Sequence, residues 1–149
     1  MSNRQRRFRI GAGSIRSFCA GILDALGVED CEVSVVLVGD RAMCDLNRRF
    51  RGRDCVTDVL SFEYGGKGES GSLFLGEIVI SPATALCQAL HWGSSHDREM
   101  RRLLAHGMLH LLGYDHTSDR GEHLAVQRRL LRRGFASSPP ATVERMRRR

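Results

Sequence analysis

The sequence predicts an α+β fold: a small mixed sheet of three to four strands packed with about five helices, and a metal site at the end of a helix in the C-terminal half. Three observations support this. Short β-branched or alternating apolar stretches read as strands, while other stretches repeat apolar residues at the three- and four-residue spacing of helices. The two kinds of stretch are mixed without a strict βαβ repeat. A chain of 149 residues also suits one compact domain.

Alternation in "RRFRI" marks a first strand near residues 6–10. Residues 14–26 follow as a helix, with Ile15, Phe18, Ile22, Leu23 and Leu26 on one face and Gly27 closing it. "CEVSVVLVG" is β-branched and reads as a buried strand. Asp40 is the expected N-cap of "DRAMCDLNRRF", where Ala42, Met43, Leu46 and Phe50 recur at helical spacing. "RGRDCVTD" is loop-like, and "VLSFEY" and "SLFLGEIVI" form a hairpin, with Gly65, Gly66, Gly68 and Gly71 in its loose tip. Ser81 and Pro82 open a helix as N-cap and first residue, running to about Trp92. A further helix spans about 95–112 and ends at Gly113, and a last one spans roughly 119–133. Residues 1–135 are thus expected to form one domain, and 136–149 a basic, disordered tail.

The net charge of +6 sits at the ends. Residues 1–10 carry four Arg and no acid, residues 136–149 a net +3, and the body a net −1. Such termini either aid solubility or attract a polyanion such as RNA. Five scattered cysteines (Cys19, Cys31, Cys44, Cys55 and Cys87) contain no CxxC pair, which argues for a reducing compartment and against a disulfide framework. No apolar run approaches a membrane span, and no signal peptide is read at the start. A transit peptide is the weaker reading of the Arg-rich beginning.

The informative segment is "HGMLHLLGYDH". His106 and His110, four apart on a helix, share one face, so two imidazoles can converge on one ion. Gly113 can reverse the chain and return His116 to that face from a loop. Three neutral nitrogen ligands leave a fourth tetrahedral position for water, the arrangement of a catalytic zinc site. Such a set leaves the +2 charge uncompensated, which suits an anionic substrate. His91, His96 and His123 lack this context and are read as surface or core residues. The spacing is similar to the HExxHxxGxxH of metzincin proteases, but Gly107 stands where those enzymes place the glutamate base. Peptidase activity is therefore disfavoured.

Together, "HGMLHLLGYDH", "LNRRFRGRDCVTDVLSF" and "LGEIVI" resemble the YbeY family of bacterial endoribonucleases and ribosomal-RNA maturation factors. The element order agrees from residue 33 to about 135. The resemblance implies a cytoplasmic, zinc-dependent hydrolase with one zinc per chain, held by His106, His110 and His116. Single-stranded RNA is the implied substrate, the 3′ end of 16S ribosomal RNA the target, and the small ribosomal subunit the partner. Arg51 falls on the family's functional arginine, where a planar donor fork can hold a phosphate. Thr57, Asp58, Ser61 and Asp115 are candidates for supporting or substrate contacts, with strand-entry and turn chemistry as the competing role. Val56, Glu63 and Glu77 depart from the family's usual Pro, Pro and Asp, which touches loop geometry. Two other classes remain open: an atypical zinc peptidase, and a non-catalytic ribosome-assembly factor stabilised by zinc.

Overall fold

The computed structural model describes residues 1–114, 121–133 and 141–142. In chain order the elements are β1 (Ser2–Asn3), β2 (Arg9–Ile10), α1 (Ala12–Ala25), β3 (Cys31–Leu37), α2 (Asp40–Arg51), β4 (Val59–Lys67), β5 (Leu73–Ile80), α3 (Pro82–His91), α4 (His96–Leu111), α5 (Glu122–Arg132) and β6 (Ala141–Thr142). Four strands form a mixed sheet in the order β1-β3-β5-β4. The β1–β3 and β3–β5 pairs are parallel, while β4 and β5 form the antiparallel hairpin. The expected α+β class, strand number and helix number all agree with this arrangement.

Period-2 alternation sorts the strand side chains onto two faces. Val35, Leu37, Ile78 and Ile80 meet Ile15, Phe18 and Ile22 of α1 and Leu104 and Met108 of α4 in the main core. On the other face Val36, Val38, Leu60 and Val79 pack with Met43 of α2. That face is only partly covered. A cavity of about 450 Å³ stays open beside α2, lined by Leu46, Phe50, Phe62, Tyr64 and Phe74, with Arg4 at its margin.

Three local expectations change. Asp40 is the first helical residue rather than the cap, which is Gly39. Its carboxylate instead accepts the hydroxyls of Ser81 (2.5 Å) and Thr84 (3.0 Å), joining the starts of α2 and α3. Gly65 and Gly66 lie within β4, where the ladder shifts register between Glu63 and Gly66, so the turn is shorter than expected. Its tip is tied to β3 by Glu32, whose carboxylate accepts the Ser70 and Ser72 hydroxyls and the Ser70 amide. These bonds hold the Glu32 carboxyl at a pKa of about 2. Finally, Ala141–Thr142, within the segment expected as a disordered tail, pairs antiparallel with β2. The rest of 136–149 lies outside the described residues.

Ser81 caps α3 as expected, accepting the Thr84 amide, with Pro82 in the first turn. The five cysteines are free thiols, and burial pushes Cys19 up to about 12. Among the described residues no helix is long and apolar enough to cross a membrane.

Candidate metal centre

The site is built on α4. Ser95 caps this helix by accepting the Arg98 amide, and Asp97 and Glu99 place negative charge in its first turn. Met100, Leu103, Leu104, Ala105, Met108 and Leu109 are all fully buried, so α4 is packed on several sides. Glu99 is buried but not isolated: its Oε1 accepts both Nε (2.8 Å) and a terminal nitrogen (2.6 Å) of Arg102. That bond raises the Arg102 pKa. The same guanidinium lies 3.5 Å from Asp58 at the start of β4. Helix and outer strand are therefore joined one turn before His106.

Gly107 fixes how closely α4 approaches the sheet. A Cβ there would stand 2.8 Å from Ile78 Cγ2 and 3.1 Å from Ser61 Oγ, residues that face each other across the β4–β5 ladder. The absence of a glutamate at this position thus has a steric reason as well as a chemical one, since the sheet occupies the space. At the other end, Gly113 adopts φ +82° and reverses the chain. Its amide reaches the His110 carbonyl at 2.9 Å and the Tyr114 amide reaches Leu109 at 3.0 Å, the paired bonds of a Schellman ending. Tyr114 packs, partly buried, against the main core.

On this frame the Nε2 atoms of His106 and His110 converge to 3.1 Å. Two nitrogens each bonded at 2.0–2.1 Å to one tetrahedral ion stand roughly 3.3 Å apart, so the pair fits a shared cation. Both side chains are half-buried. His116 and Asp115 lie outside the described residues.

The third imidazole in the described site is His123, which sequence reasoning set aside for want of local spacing. It is fully buried, with its ring centroid 4.9 Å from His106 and 5.1 Å from His110. Ligand atoms of all three lie within 4.8 Å of one another. The placement follows from helix register. The Gln127 side chain donates to the Arg102 carbonyl (3.2 Å), and one turn back along α5 meets one turn forward along α4. The antiparallel step from Arg102 and Gln127 therefore brings His106 and His123 together. The signal available in the sequence was the buried stripe of α5, in which His123, Gln127 and Leu130 recur at helical spacing.

The remaining histidines fit the surface or core reading. His91 is exposed beside Trp92. His96 is buried, with Nε2 2.9 Å from the Pro82 carbonyl.

The other candidates separate. Asp58 accepts the Val59 amide (2.9 Å) and the Thr57 hydroxyl (3.3 Å) besides facing Arg102, which is strand-entry chemistry that also braces α4. Ser61 lies under Gly107, between helix and sheet. Arg51 is exposed in the last turn of α2, the helix on the opposite face of the sheet. The segment from Gly52 to Asp58 leads from its end to the outer strand, held by a bond from Asn47 to the Cys55 carbonyl (2.8 Å).

The family described as Endoribonuclease YbeY matches residues 1–132. An Endoribonuclease YbeY of Anaeromyxobacter is 45% identical over 133 residues, covering 89% of this chain and 66% of that protein. One from Thermodesulfovibrio yellowstonii is 51% identical over 84 residues, covering 56% of this chain and 53% of its own. The chain thus spans between about half and two-thirds of the length of these two relatives. The solution structure of TM1509 from Thermotoga maritima superposes with a TM-score of 0.60 at 25% identity, covering 93% of this chain and 96% of that one. On the match over residues 1–132, the chain belongs to the YbeY endoribonuclease family.

Proposed function

We propose that this chain is a zinc-dependent endoribonuclease that cuts single-stranded RNA, with one ion held by His106, His110 and His116. The observation that carries the reading is the convergence of the His106 and His110 Nε2 atoms at 3.1 Å on a helix pinned to the sheet. Relatives named as endoribonucleases supply the substrate class. The proposed target is the 3′ end of 16S ribosomal RNA, during maturation and quality control of the small subunit in the cytoplasm. The basic ends of the chain suit such a polyanion.

A bound zinc ion supplies Lewis acidity and a water of lowered pKa. The chain's own residues do the rest. His106 and His110 offer neutral nitrogens at fixed separation, and the Glu99–Arg102–Asp58 linkage keeps α4 in place on β4. Arg51, at the end of α2, presents a planar fork for a non-bridging phosphate oxygen. Thr57, Asp58, Ser61 and Asp115 act behind this layer as supports. The product ends reveal the nucleophile: a 2′,3′-cyclic phosphate assigns it to the ribose hydroxyl, and a linear phosphate to water.

The test is cleavage of single-stranded RNA by chelated and zinc-restored protein, with Arg51→Ala as control. Cutting should vanish on chelation, return with zinc and fall sharply in the variant. Undiminished cutting by metal-free protein overturns the proposal. The second reading, a non-catalytic assembly factor, draws support from the burial of His123 beside the pair. It requires that Arg51→Ala leave ribosome maturation intact while chelation lowers stability. Unstructured peptides tested beside RNA address the peptidase alternative, which the packing of Gly107 against Ile78 disfavours.

A further inference from the structure

We propose that His123 is a ligand of the same metal ion, delivered by α5 and joining His106 and His110 from outside the HGMLHLLGYDH segment. The inference rests on the metal reading above and extends it to a second helix. His123 has no relation to that segment in spacing: it lies seven residues beyond His116. Its position is set instead by the antiparallel register of α4 and α5, fixed by the Gln127 bond to the Arg102 carbonyl. Leu130 and Val126 anchor α5 in the main core. The ring is fully buried and contacts both His106 and His110, and its ligand atoms fall in the same 4.8 Å cluster.

The donor chemistry is right for the assignment. Neutral imidazole is a common zinc ligand, and a helix-borne one is held in a single orientation by its own packing. With His106 and His110, His123 would make three imidazoles, a number of protein ligands that leaves zinc an open position. The ion also joins α4 to α5 across the chain segment between them.

Full-length protein is stripped with a chelator and reloaded with zinc, or with cobalt as a spectroscopic reporter. His123→Gln, which preserves volume and polarity, is compared with His123→Ala and with His116→Gln. Circular dichroism of the metal-free forms checks that each variant folds. We expect His123→Gln to bind zinc more than about 100-fold more weakly, beyond the 10–100-fold loss typical of a residue that only orients a ligand. The visible cobalt bands should change in intensity, and the rise in Tm on zinc addition should shrink, while the metal-free Tm stays near wild type. An unchanged cobalt spectrum and unchanged zinc affinity in a folded His123→Gln protein overturn the inference. If His123→Ala alone unfolds, His123→Gln decides. If both unfold, ring-nitrogen NMR of wild type decides, since His123 nitrogen shifts that stay at unligated values on zinc addition overturn the inference. Failure of the underlying reading looks different: wild-type protein then takes up no stoichiometric zinc at all.

Discussion

The two faces of the sheet are built from the same strands and treated in opposite ways. On one, α4 approaches so closely that Gly107 has no room for a methyl group, and Leu103, Leu104 and Met108 are sealed from water. On the other, a single helix leaves an apolar cavity of about 450 Å³, with Phe50 at 55% and Tyr64 at 75% exposure. The histidines lie on the sealed side and Arg51 on the helix of the open side. Close packing holds the imidazoles in one geometry, while Arg51 stays exposed in the last turn of α2. The lesson is that one sheet can carry a rigidly packed helix on one face and an open apolar groove on the other.

That contrast can be broken at the pair itself. His110→Ala should abolish stoichiometric zinc retention, measured by elemental analysis, and with it RNA cleavage. It removes one of the three imidazoles gathered among the described residues. A variant that retains one zinc per chain and full cleavage would contradict the site. The next effect is steric. Gly107→Ala sets a methyl against Ile78 and should cost about 1–3 kcal/mol in urea unfolding, the range for overpacking a tight interior. Zinc affinity should fall with it, because α4 can relieve the clash only by moving both histidines.

A third expectation concerns pH. Burial pushes the His96 imidazole below its ordinary value, so the unfolded chain takes up this proton before the folded one does. The His96 contribution is therefore complete above about pH 6.5 and declines as pH falls below it. In metal-free protein, the stability difference between wild type and His96→Gln should narrow through that window. A difference that stays flat from pH 7.5 to 5 would remove His96 as a source of acid sensitivity. The smallest effect belongs to the open face. Phe50→Ala, at an exposed position, should change stability by no more than about 1 kcal/mol and leave zinc binding untouched.

How much could be read in advance depended on how far apart the cooperating residues lie in the chain. His106, His110 and Gly113 fall within one short window, so helix spacing and a helix-ending glycine were enough to predict their arrangement. The cap at Ser81 and the stripe of α1 were local in the same sense. Asp40 was misread because its partners, Ser81 and Thr84, lie more than forty residues away and outweigh the capping preference. The closeness of His123 to the pair was not read for a related reason: it depends on the register between two helices, which no local period encodes. Gly107 was read for its missing carboxylate, whereas its packing against Ile78 and Ser61 needed the sheet to be seen. The expected role of Arg51 came from family resemblance. The fold leaves it exposed at the end of α2, and its contribution is for RNA cleavage to measure.

The end of α4 carries one more consequence, in charge rather than packing. The neutral imidazoles of the proposed site would bring no negative charge to offset a divalent ion, yet His110 sits in the last turn of a sixteen-residue helix. Aligned peptide dipoles place roughly half an elementary negative charge at such a terminus. The helix thus acts as a partial counter-ion, drawing a cation toward the histidines while leaving most of its charge unbalanced. In the proposed site the remaining positive charge would be open to a phosphodiester, so this helix terminus would also set how strongly the site attracts an anion.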